Sequence, residues 1–218
     1  MLKIPFGKHK VTGKFYDAGM VPNGKNCNCV CNACGADLQA VHPKLLNRQQ
    51  HFRHSANSNC TGALESLFHI MAKQILKESG SICIESGNSM SYTYCDIETP
   101  RHGKRPDAYL SNLESSLIVE VFFSHRIDDT TLDTYLENGE KVLEIDISTE
   151  KRRLYNYEHL KELVLIKATR KLFLHPRKEE LKKQKSDGDI TGWLVGALII
   201  LGLWFVSKLT RGRSRYRK

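Results

Sequence analysis

The first 176 residues of this 218-residue chain carry almost no excess charge of either sign. Residues 177–218 hold 11 Lys/Arg against 4 Asp/Glu, +7 of the formal +9, which leaves +2 upstream. The high overall charge is therefore no nucleic-acid signature of the folded part; it belongs to the C-terminal end. No secretory signal is recognisable, and no internal repeat is evident. The seven cysteines are odd in number and crowd among histidines, which argues against a disulfide framework and for metal binding in a reducing compartment. The N-terminal domain is expected in the cytoplasm. Long periodic segments are also missing from residues 1–61, a stretch rich in Gly, Asn, Cys and His that suits a small metal-stapled module of short strands and turns.

Within that module Cys31-Asn-Ala-Cys34-Gly35 is a tight turn able to present two thiolates to one ion, with Gly35 letting the backbone fold back. His54 and Cys60 complete a Cys3His set, with His51 competing for the histidine position and Cys27 or Cys29 able to exchange with Cys31. Four protein ligands leave no open position, so the expected zinc is structural. Cys83 and Cys95 fall on predicted strands and read as core residues.

From Leu64 the apolar positions Leu64, Leu67, Phe68, Met71, Ile75 and Leu76 recur at three- and four-residue spacing, predicting an amphipathic helix over 62–79 that ends near Gly80. Strands are predicted at 81–85, 90–97, 107–110 and 117–123, the last a central strand buried on both faces. Residues 128–138 read as helix, 142–147 as strand and 150–161 as helix. The expected fold is α/β, a mixed sheet flanked by helices. Residues 176–189 read as a charged linker, and residues 190–207, uncharged with Trp193 and Trp204 near either end, as one transmembrane helix. The basic tail, residues 208–218, has six Lys/Arg and no acid, and is expected to meet anionic lipid. A single-pass protein of the cell membrane follows from that reading.

Asp107 stands at a strand edge, and Glu120 interrupts the apolar run Leu117–Phe123. A buried Glu is costly unless paired or bound to a cation, and carboxylates suit Mg²⁺. Glu144 and Asp146 share one face of a later strand, as a further acidic contribution or as a solvated edge.

The run Cys-Asn-Cys-Val-Cys-Asn-Ala-Cys-Gly, His-Phe-Arg-His, Cys60, Glu65-Ser-Leu-Phe-His69, Ala72-Lys73, Arg-Pro-Asp107, Glu120-Val-Phe-Phe-Ser-His125 and Glu144-Ile-Asp-Ile-Ser148 resembles the competence protein CoiA-like family over about residues 25–150. The resemblance implies a zinc-binding module (1–61) ahead of a restriction-endonuclease-like PD-(D/E)xK nuclease domain (62–175). It makes Asp107 and Glu120 the acids that bind catalytic Mg²⁺ or Mn²⁺, and Glu65 a helix-borne acid that supports them. His69, Lys73 and His125 match motif positions. The implied chemistry is metal-dependent hydrolysis of DNA phosphodiesters, at the membrane given the C-terminal helix, in uptake processing or defence against foreign DNA. One departure stands out: the signature Lys two residues after the second acid is Phe122 here. A shifted position in the following helix is Thr131, and Lys73 or Lys104 could substitute. An inactive nuclease fold serving as a nucleic-acid or protein-binding adaptor is the alternative, and a zinc-stabilised membrane adaptor unconnected to nucleic acid is a third reading.

Overall fold

The computed structural model describes residues 3–44, 48–55, 60, 64–148 and 156–175, with Leu64 and Glu65 described by backbone alone. Two compact units are distinguished, Met1–Phe173 and Leu174–Lys218.

The N-terminal part is built from short pairings. Strand β1 (Phe6–His9) lies between β2 (Phe15–Asp17) and β3 (Cys29–Val30), both antiparallel to it. Strand β4 (Leu38–Val41) pairs antiparallel with β5 (His51–His54). Gly7 is required by close approach, since a Cβ there would stand 3.1 Å from both Cys29 and Phe52. Phe52 is fully buried and exchanges backbone hydrogen bonds of 2.7 and 2.9 Å with Ile4, so β5 is bound to the core two residues before His54.

Helix α1 (Leu64–Ser79) forms where the apolar spacing predicts it and ends at Gly80, φ +75°. Its stripe Leu67, Phe68, Met71, Ala72, Ile75 and Leu76 is buried. Phe68 meets Phe6 edge-on at 5.7 Å and stacks on Phe123 at 5.0 Å, so one apolar cluster runs from the N-terminal strands into the main sheet.

That sheet has the order β12–β11–β10–β9–β8, from β8 (Tyr94–Ile97), β9 (Ala108–Ser111), β10 (Ser116–Phe122), β11 (Val142–Asp146) and β12 (Thr169–Phe173). Strands β10 and β11 are parallel and the other pairs antiparallel, which makes the sheet mixed. The parallel crossover carries helix α2 (Asp129–Glu137), capped by Asp128, whose carboxylate accepts the Thr131 amide at 2.9 Å. Tyr135 of α2 packs with Ile118 and Val142 on one face of the sheet. Helices α1 and α3 (Tyr157–Glu162) belong to the cluster that also holds Leu117, Val119 and Val121.

Three expectations are corrected. Residues 90–97 are not one strand: β7 (Asn88–Ser91) forms a hairpin with β6 (Ser81–Glu85), and the chain changes sheet at buried Tyr92, whose hydroxyl donates to the Leu76 carbonyl. Helix α3 begins at Tyr157, where Asn156 caps it through the His159 amide at 2.8 Å; residues 149–155 lie outside the described residues. The membrane-anchored arrangement is not carried forward. Among the described residues no helix is long and apolar enough to cross a membrane; the longest, α1, has 16 residues and one polar face. The predicted span 190–207 and the basic tail lie outside the described residues. The fold is therefore an α/β mixed sheet flanked by helices, with a metal-ligand cluster near its N-terminus. The single-pass location and the lipid-facing tail go with the anchor.

Candidate functional site

Cys31, Cys34, His54 and Cys60 converge, each offering a ligand atom within 4.8 Å of the others. Cys31 Sγ lies 3.9 Å from Cys60 Sγ, and Cys34 Sγ lies 3.3 Å from His54 Nε2. A tetrahedral zinc requires sulfurs about 3.8 Å apart and sulfur and nitrogen about 3.5 Å apart, from metal distances of about 2.3 and 2.0–2.1 Å. The donor set fits a structural metal. Gly35, φ +70°, closes the turn by donating its amide to the Cys31 carbonyl at 2.8 Å. Burial pushes the Cys31 thiol up, and the amides of Cys34 and Ala33 work against that by favouring the thiolate.

The competitors lie elsewhere. Three residues along a strand reverse the side-chain face, so His51 cannot join His54; its Nδ1 is 3.0 Å from the Gln49 carbonyl. The buried Cys27 thiol donates to Leu38 O at 3.3 Å and the Cys29 thiol to Cys27 O at 3.1 Å. Burial pushes Cys29 up to about 12, that of a core thiol.

A second cluster forms at the end of the β9–β10 hairpin. Pairing ends at Val119 opposite Ala108, and the next two residues are Glu120 and Asp107. Asp107 Oδ2 accepts the Val121 amide at 2.9 Å and lies 3.5 Å from His69 Nδ1; its Oδ1 is 2.9 Å from Lys73 Nζ. Two turns of α1 thus aim His69 and Lys73 at one carboxylate. Lys73 is also 2.6 Å from Glu98, a residue at φ +51° whose other oxygen meets Arg105 at 2.7 Å. Burial opposes ionisation of Asp107, but His69, Lys73 and the Val121 amide outweigh it and hold the carboxyl below its usual range. Glu120 goes the other way: burial, reinforced by the Asp107 charge, pushes it up to about 8. Opposite shifts on two adjacent carboxyls mark a candidate functional site.

The remaining residues surround this pair. Glu65 begins α1, and its side chain lies outside the described residues. His69 Nε2 is buried with no hydrogen-bond partner among the described residues. His125 follows β10 on an exposed bend, its Nδ1 2.9 Å from Ser124 Oγ. Lys104 pairs by its backbone with Arg101 at the β8–β9 tip, and Thr131 serves the α2 cap. Glu144 is no solvated edge: it is 3% exposed, stands beside Glu120 in register and is paired with Arg126. Three groups here escape sequence reasoning: Glu98, Arg126 and the Tyr135 hydroxyl. The last is buried beside Glu120, and its acidity is weakened first by burial and then by the charges of Glu120 and Asp107.

Comparisons with protein-family models, curated proteins and solved structures find no match. The half-buried Cys3His cluster stands on its geometry, and the CoiA-like resemblance rests on the motif residues alone.

Proposed function

We propose that this chain is a metal-dependent nuclease that hydrolyses DNA phosphodiesters at Asp107 and Glu120, with the Cys3His cluster holding a structural zinc. The observation that carries the reading is the facing pair at the hairpin end, one carboxyl held ionised by Lys73 and the other pushed up to about 8. A divalent cation between them would replace the proton on Glu120 and relieve the repulsion.

Bound Mg²⁺ or Mn²⁺ supplies polarisation of the phosphate and a lowered pKa for water. The chain's own residues do the rest. Lys73 keeps Asp107 ionised and fixes its orientation, with His69 and the Val121 amide holding the second oxygen. Glu120, freed of its proton, is the second carboxylate that would face the cation. In the net reaction the water oxygen bonds to phosphorus as the phosphorus–oxygen ester bond breaks; one water proton ends on the leaving alkoxide and the other goes to solvent.

Plasmid and single-stranded DNA incubated with the zinc-loaded protein and Mg²⁺ or Mn²⁺ test this. The expected outcome is metal-dependent cleavage, reduced at least a hundredfold in Asp107→Ala and in Glu120→Ala at unchanged zinc content. Equal cleavage by those variants would remove the assignment, and DNA binding with no cleavage by the parent would reduce the domain to a binding module.

A further inference from the structure

Phe122 stands where the resemblance leads one to look for a cation, and the structure covers it with one. Strand alternation puts Glu120 and Phe122 on the same face of β10, opposite Glu144 and Asp146 of β11. After β10 the chain turns at Ser124–Arg126, and the Arg126 guanidinium folds back 4.1 Å above the Phe122 ring. Its two terminal nitrogens meet Glu144 and, at 3.0 Å, Asp146. These bonds use two of five N–H donors, and the side chain stays 56% exposed. The side chain is held against the Phe122 ring and along one edge, on the acidic face beside Glu120.

Among the described residues, two other cations pair with the acids of this site or their neighbour Glu98. Lys73 is 12% exposed and locked between Asp107 and Glu98, so reaching a phosphate would cost Asp107 its partner. Arg105 is 67% exposed and, like Arg126, uses two donors, but both go to Glu98 rather than to the face of β10 that carries Glu120. A planar guanidinium with open donors is suited to a phosphate, which it can hold through two oxygens at once.

On the nuclease reading above, we infer that Arg126 is the phosphate-binding cation of the site, carried by the loop after β10 and stacked on Phe122 in place of a lysine at that position. Arg126 holds a non-bridging oxygen of the phosphate whose phosphorus water attacks beside Asp107 and Glu120, and Glu144 and Asp146 act as positioning residues that keep it there.

The test uses the full-length, zinc-loaded protein. Arg126→Gln is preferred to alanine, and Arg126→Gln/Glu144→Gln is made beside it, because losing the arginine leaves Glu144 buried and unpaired. Binding of a fluorescein-labelled DNA duplex is followed by anisotropy over a salt series without added divalent metal, and cleavage is measured with Mg²⁺. Loss of one phosphate contact lowers the slope of log K against log salt by about 0.9 for duplex DNA. The expected result is that drop in both variants, a hundredfold fall in kcat, and recovery of at least tenfold on adding Phe122→Lys to Arg126→Gln. A clamp that only orders Glu144 and Asp146 would leave the salt slope unchanged and would not be rescued by a lysine at 122; either result overturns the inference. Where the parent does not cut DNA, the slope decides alone: a drop of about 0.9 keeps Arg126 as the phosphate ligand and places the failure with the hydrolytic reading, whereas an unchanged slope removes both.

Discussion

Lys73 places its ammonium 2.9 Å from Asp107 and 2.6 Å from Glu98, and both acids are held below their usual range. Burial disfavours the charged lysine, but the two carboxylates win and raise its pKa. Lys73→Met should therefore leave Asp107 buried without its cation, at a cost of about 2–3 kcal/mol in urea unfolding, and lower cleavage at least tenfold. An unchanged unfolding midpoint would show that the pair contributes nothing. Residues of this kind were legible where chemistry and spacing coincide: Lys73 lies one helical turn from His69, and Glu120 is an acid inside an apolar run. Arg126 was illegible because its place depends on the chain reversing at Ser124, and Glu98 because nothing in a lone glutamate announces a left-handed backbone. Tyr135 lies in the predicted helix 128–138, and nothing in the sequence marks its hydroxyl.

Helix α1 joins the two halves of the core, since Phe68 touches Phe6 on one side and Phe123 on the other. Phe68→Ala should cost about 3–5 kcal/mol of unfolding free energy, measured in denaturant, with the secondary structure retained at low temperature. A cost below about 1 kcal/mol would mean that the contacts collapse onto the gap. Helix α1 and strand β10 were plain in the sequence because a 3.6-residue stripe and a continuous apolar run need no tertiary information. The break at Tyr92 was hidden, since residues on either side favour strand and only the choice of partner, β6 or β9, divides them. Strand β12 went unnoticed because Arg170 and Lys171 interrupt its apolar pattern; Arg170 is occupied in donating to the carbonyls of Leu163, Val164 and Leu165 in the turn before it.

At the scale of the molecule, the metal cluster and the mixed sheet share one core. His54 follows buried Phe52 on β5, and the cluster of buried residues continues from Phe52 through Phe68 to Phe123. Cys34→Ser or His54→Ala should lose zinc, as read by metal analysis, and lower stability by several kcal/mol. Unfolding should stay a single transition across Met1–Phe173; separate transitions for the N-terminal strands and the sheet would contradict a shared core. The Cys3His set was legible because thiolates two residues apart beside histidines have few other uses. The choice of His54 over His51 needed the register of β5. An apolar run gave a membrane span at 190–207, but composition alone does not establish an anchor, and among the described residues none is found.

The proposed cation site at Asp107 and Glu120 is tested most directly by calorimetric titration of Mn²⁺ into the zinc-loaded protein at pH 7, in two buffers of different ionisation enthalpy. Below about pH 8 Glu120 retains its proton in the metal-free site, so a cation must displace it. Mn²⁺ affinity should accordingly rise with pH and level off above about 8. The expected result is one Mn²⁺ bound with release of most of a proton, the proton release lost in Glu120→Gln and the binding lost in Asp107→Ala/Glu120→Ala. Mn²⁺ binding that survives the double substitution, or no binding to a folded, zinc-loaded parent, would contradict a cation site at Asp107 and Glu120.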